Sequence, residues 1–177
     1  PFYKVQFEDG GIKSIYDKEL NKELLKTGKI LGGDVFTLKS FGNGAGEFAD
    51  IQKTEMDGFD IVSNHLPEWK VTENGPVYIA FKIRQPIRNA VIENSVKIYK
   101  SIKKIDFDVA LLNWEGVLYR EFRFVMPLNM AKGQVAYEVP YGVLEVGKDE
   151  IAGAAGERYS TICSEVHPRG VENWIGA

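Results

Sequence analysis

Apolar and polar residues alternate with a period of two over several separate stretches of this chain. Val77, Ile79, Phe81 and Ile83 fall on every second position, with Tyr78, Ala80 and Lys82 between them. Ile105, Phe107, Val109 and Leu111 repeat the pattern against Lys104, Asp106 and Asp108. Phe122, Phe124 and Met126 alternate with Glu121, Arg123 and Val125, and the run Val91 to Tyr99 closes with Val96 and Ile98 around Lys97. Successive side chains of a strand point to opposite faces, so each stretch predicts a strand with one apolar face. Their close spacing, with turn residues between, predicts an all-β antiparallel sandwich.

The ends of these stretches predict the turns. Tyr3, Val5 and Phe7 alternate, Asp9-Gly10-Gly11 tolerates positive φ, and Ile12 to Tyr16 alternates again, which reads as a hairpin. Asn74-Gly75-Pro76 reads as a turn between two strands. Lys18 to Lys26 has the composition of a short helix. Residues 40–58, rich in Gly with Asn43, Asp50 and Asp57, read as a long surface loop, and Gly147 to Gly156 as a second one.

Length and charge then narrow the classes. The 177 residues, 44% hydrophobic and 27% charged, suffice for a buried core and predict one β-sandwich domain over 1–177. The formal charge of −3, without a basic block, argues against nucleic acid as a partner. No run of about 18 apolar residues occurs, so no membrane span is expected. The chain opens Pro1-Phe2-Tyr3 and not with Met, which reads as a piece of something longer and leaves the compartment open.

The chemistry-bearing residues are few. Two histidines, His65 and His167, and one cysteine, Cys163, exclude an internal disulfide and a Cys-based zinc finger, and make a His-rich metal site hard to build. Asp106 and Asp108 share a strand face, as a glycosidase pair would, but a solvated face beside Lys104 is the plainer reading. Gly42-Asn43-Gly44-Ala45-Gly46 lacks the third glycine of a dinucleotide loop, since Glu47 stands there. Ser101-Ile102-Lys103-Lys104 joins two strands and reads as a turn, not as a serine–lysine catalytic pair. Cys163 and His167 lie on a strand-like stretch, about 13 Å apart along it, too far for a nucleophile pair. Trp69, Trp114 and Trp174 read first as core and second as sugar platforms. The carbohydrate-contact candidates are Tyr141, His167 and Arg169, in turn-like stretches, together with Trp174. No catalytic residue and no metal ligand is assigned.

Several phrases together resemble a known family. Asp9-Gly10-Gly11-Ile12-Lys13-Ser14-Ile15-Tyr16-Asp17 with Glu23-Leu24 is similar to the opening hairpin of the post-catalytic β-domain of α-mannosidases, glycoside hydrolase family 38. Glu73-Asn74-Gly75-Pro76-Val77, Lys97-Ile98-Tyr99, Lys104-Ile105-Asp106-Phe107, Asn113-Trp114, Tyr137-Glu138-Val139-Pro140-Tyr141-Gly142, Glu165-Val166 and Trp174 follow in the same order. The resemblance implies a galactose-mutarotase-like supersandwich, here incomplete, cut from a larger hydrolase. It implies a catalytic α/β barrel as partner within the same parent chain, and mannose-containing glycans as the parent's ligands. It also implies retaining hydrolysis with an Asp nucleophile and a zinc cofactor held in that barrel, so no cofactor is expected in this fragment. Where an Arg-containing stretch often follows the Tyr-Gly pair, Val143-Leu144-Glu145-Val146 stands instead. An unpaired strand edge would invite self-association. Two alternatives are a stand-alone carbohydrate-binding module, which needs a flat exposed aromatic row, and a mutarotase-like enzyme, which needs paired histidines.

Overall fold

The computed structural model describes residues 1–40, 54–117, 119–150 and 170–177. They form thirteen strands with antiparallel pairing and one short 3-10 turn, with no α-helix among the described residues. The fold is all-β, as the alternation predicts. The chain divides into two compact units, the first holding residues 1–40 and 54–129, the second residues 130–150 and 170–177.

In the first unit, β1 (Tyr3–Glu8) and β2 (Gly11–Asp17) form the expected hairpin. Asp9 and Gly10 both take positive φ, 45° and 82°, the turn whose twist matches that of its strands. The helix expected over Lys18 to Lys26 is absent, and β3 (Lys22–Glu23) pairs back onto β2 instead. The cause is local. The Asp17 carboxylate accepts the Glu19 and Leu20 amides at 2.9 and 3.0 Å, and Asn21 turns the chain at φ 51°. Hydrogen bonding from the Leu20 amide, opposed by burial and helped by Lys103, holds Asp17 below the usual aspartate pKa. Lys103, in the turn read from Ser101 to Lys104, reaches Asp17 at 3.1 Å and Glu19 at 2.8 Å.

The alternating stretches become β7 (Tyr78–Ile87), β8 (Ala90–Tyr99), β9 (Ile105–Leu112) and β10 (Arg120–Val125). With β4 (Asp34–Ser40), β5 (Thr54–Ile61) and β6 (Glu68–Asn74) they make one four-stranded sheet, β6-β7-β8-β9, and one three-stranded sheet, β10-β4-β5. Residues 54–58 were expected in a loop and are strand. Their alternation is hidden because Gly58 takes φ 63° and the β4–β5 register slips between Thr37 and Lys39.

The four-stranded sheet is one layer of the sandwich. At one end Ile83 and Val96 pack on Ile12, Ile15 and Leu25 of the β1-β2-β3 side. At the other end Ile87, Ala90 and Ile92 pack on Val35 and Val62, with Phe122 against them. The opposing layer is therefore composite, stitched by the bridges Ile12 to Gly32 and Leu25 to Leu128. The tryptophans expected in the core are not there: Trp69 is 44% and Trp114 39% exposed. Both sit at sheet margins, Trp69 on the edge strand β6 and Trp114 just past β9, and each packs edge-on against a Phe, Phe7 and Phe122, at 5.2 Å.

The second unit holds β11 (Ala136–Val139), β12 (Gly142–Glu145) and β13 (Ile175–Gly176) in the order β12-β11-β13. Tyr137 is buried and its hydroxyl donates to Glu150 Oε1 at 2.9 Å.

Candidate functional site

Tyr141 stands at the tip of the β11–β12 hairpin. Val139 pairs with Gly142, leaving Pro140 and Tyr141 as a two-residue loop. Proline locks φ near −65°, which forbids the primed turns that need positive φ at the first loop residue. The positive φ therefore falls on Tyr141, at 67°, a region costly for a residue with a Cβ. Its side chain is fully exposed, so no packing offsets that cost. Strain on an exposed aromatic is a pointer to a binding role.

Trp174 belongs to the same small sheet. Its carbonyl accepts the Glu138 amide at 3.1 Å, and its ring lies over Gly176, with Cζ3 3.5 Å from where a Cβ there would stand. The antiparallel register puts Gly176 beside Ala136, away from the hairpin tip. Trp174, 45% exposed and not core, thus leans away from Tyr141, and the two do not line up as a flat row. The sequence-based reading passed over Glu138, whose Oε2 is buried without a hydrogen-bond partner among the described residues; nothing in its spacing marks it. His167, Arg169, Cys163 and the glycine cluster at 42–46 lie outside the described residues.

The first unit carries a groove of about 500 Å³ between β1 and the β7–β8 pair. Tyr3, Val5 and Phe7 line one wall, and Phe81, Ile98 and Tyr99 the other. Two of the polar groups on its rim are already committed. The Tyr99 hydroxyl donates to Asp106 at 3.0 Å, and Lys100 Nζ donates to the Gly75 carbonyl at 2.7 Å. A sugar needs several free hydrogen-bonding partners, so this groove suits apolar packing and not a glycan.

The remaining titratable candidates are structural. Asp106 accepts from Lys104 and Tyr99, and the Lys104 hydrogen bond, against a smaller effect of burial, holds its carboxyl below the usual range. A glycosidase general acid requires the opposite shift. His65 Nε2 lies 2.8 Å from Asp60, whose oxygens also accept the Ile61 and Arg88 amides, so the imidazole is clamped into the fold.

The comparison with known families decides what this fold is. A family model described as the glycosyl hydrolases family 38 C-terminal domain matches residues 1–158. The chain belongs to that family. No curated protein matches it. The matched stretch of this family 38 domain includes the Tyr141 hairpin and the groove, while Trp174 lies past it. Among the described residues of the domain, no group of three His, Cys, Asp or Glu side chains is placed to hold a metal.

Proposed function

We infer that this family 38 domain is a non-catalytic part of an α-mannosidase-like retaining hydrolase. It braces the catalytic α/β barrel of the same parent chain and offers Tyr141 to mannose-containing glycans. The observation that carries this reading is the family match, to a domain named for its C-terminal place in a hydrolase family. Exposed apolar surface supports the bracing. Val109 and Leu111 lie on the inner face of β9 yet are exposed, beside exposed Trp114 and Phe124, where β9 ends one layer and β10 the other. Apolar surface of this kind marks an interface, and the free β9 edge is also where two copies would associate. The zinc and the Asp nucleophile of such hydrolases belong, on this reading, to the barrel, and no step runs through a metal in this domain.

Two measurements test it. The chain alone, incubated with an aryl α-mannoside and added zinc, is expected to give no turnover above buffer; robust turnover would overturn the non-catalytic reading. Tyr141→Gly is expected to raise the unfolding free energy by up to about 1 kcal/mol, because glycine adopts positive φ without strain. The same variant is expected to abolish the chemical-shift changes seen with mannose oligosaccharides at about millimolar concentration, the ordinary range for a single stacking contact. Equal shifts in the variant and the parent sequence would remove Tyr141 from the proposal.

A further inference from the structure

Arg88 and Arg120 meet over Gly58, although the three residues come from three different strand pairs. Arg88 sits in the two-residue turn between β7 and β8, and its amide donates to Asp60 Oδ2 at 2.8 Å. Arg120 opens β10, and its Nη1 donates to the Gly58 carbonyl at 2.9 Å and reaches Thr37 Oγ1 at 3.4 Å. A Cβ at Gly58 would stand 2.7 Å from Arg120 Nη2, 3.1 Å from Arg88 Nε and 3.2 Å from Arg88 Cζ. Both guanidinium groups thus crowd one point that only a glycine leaves open.

Among the described residues neither arginine takes part in an ion pair, and the Arg88 guanidinium donates no hydrogen bond. Arg120 Nε is buried without an acceptor among the described residues. Among the described residues, Asp60 is engaged by His65 and two backbone amides, Asp57 by Lys39 at 3.8 Å, and Glu115 by Asn89 at 2.7 Å. Two like charges held this close repel unless a counter-charge joins them. An unsatisfied buried donor beside them is a further sign that a partner is missing.

The geometry points to an oxyanion site at Arg88, Arg120 and Gly58, selective for a phosphate group carrying two negative charges. Guanidinium forks match tetrahedral oxygens two at a time, and a phosphate monoester carries close to the charge that two arginines offer. Arg88 is exposed and forms the open side of the site. The site is independent of the glycan reading, and Tyr141 takes no part in it.

Titration calorimetry at low ionic strength tests it, with inorganic phosphate in one arm and glycerol phosphate in the other. Saturable one-site binding is expected in at least the inorganic arm, weakening as salt is added. Binding of both probes identifies a monoester site, and binding of inorganic phosphate alone a free-anion site. Arg88→Gln, an exposed change that keeps the amide to Asp60, is expected to fold normally and bind about tenfold more weakly or worse. Arg120→Lys, which keeps the charge and loses the fork, is expected to weaken binding as well. No saturable heat with the unmodified chain, or undiminished binding by Arg88→Gln, would overturn the site.

Discussion

Gly10→Ala is expected to cost about 3 kcal/mol of stability, although it adds only one methyl group to a two-residue turn. Gly10 holds φ 82°, which alone penalises alanine by about 1 kcal/mol. The larger effect is tertiary. A Cβ at Gly10 would stand 2.7 Å from Gln85 Nε2 and closer still to its Oε1 and Cδ. Gln85 is buried on β7, and its Nε2 reaches the carbonyls of Asp9, Val62 and His65 at 3.0, 2.7 and 2.9 Å. That amide ties the first hairpin to the segment between β5 and β6. Displacing it breaks the half-buried hydrogen bonds to the Asp9 and His65 carbonyls and one of the two that the buried Val62 carbonyl accepts, the other coming from the His65 amide at 2.9 Å, at about 1 kcal/mol each. Urea denaturation gives the comparison directly. Gly28→Ala is the control, because that glycine has open space around it and no positive φ, and it is expected to change stability by less than about 0.5 kcal/mol. Equal losses in the two variants would show that Gln85 is not the hub described.

Asp34→Ala is expected to cost at least as much, about 3–5 kcal/mol, by leaving buried donors without an acceptor. Asp34 is fully buried at the start of β4. Its Oδ2 accepts the Leu31 amide at 2.9 Å and the Ser63 hydroxyl at 3.0 Å, and its Oδ1 accepts the Ser63 amide at 3.2 Å. Burial, only partly offset by the Leu31 and Ser63 hydrogen bonds, raises its pKa above the 3.8 of an unperturbed aspartate. The native state therefore holds a proton that the unfolded chain has released, over the window between 3.8 and the raised value. The contribution of this group to stability is full below pH 3.8 and declines as the pH rises through the folded pKa. Asp34→Asn keeps one acceptor and cannot ionise, so it isolates the effect. The stability of the unmodified chain relative to Asp34→Asn is expected to fall across that window and then level off. A difference constant from pH 3 to pH 7 would contradict the raised pKa.

Much of the fold was legible because its cause is local. The alternation at Val77–Ile83 and Ile105–Leu111 marked the strands that became β7 and β9, and Asp9-Gly10 marked the first turn. The ordered phrases from Asp9 to Gly142 carried the family resemblance, which the family match over residues 1–158 bears out. Where local composition misled, a tertiary or side-chain interaction had overruled it. Helix-forming residues after Asp17 lost to the Asp17 carboxylate and Asn21, and a glycine-containing strand, β5, passed for loop because Gly58 broke its period. The tryptophans were read as core because aromatic residues usually are, yet each lies at a sheet margin that no local pattern reveals.

The sequence by itself determined the class of the fold, the hairpin turns and the family, since each rests on periodicity, on φ preferences of adjacent residues or on ordered phrases. Only the tertiary structure decided which inner faces meet, that Tyr141 carries its strain in the open, and that Gln85 and Asp34 are hubs. It alone brought Arg88 and Arg120 onto Gly58. Apart from the Tyr141 strain, which Pro140 imposes locally, those features depend on groups far apart in sequence, such as Gln85 and Asp9 or Arg120 and Gly58, arriving within hydrogen-bond reach, and the pairing and packing of distant strands sets that distance.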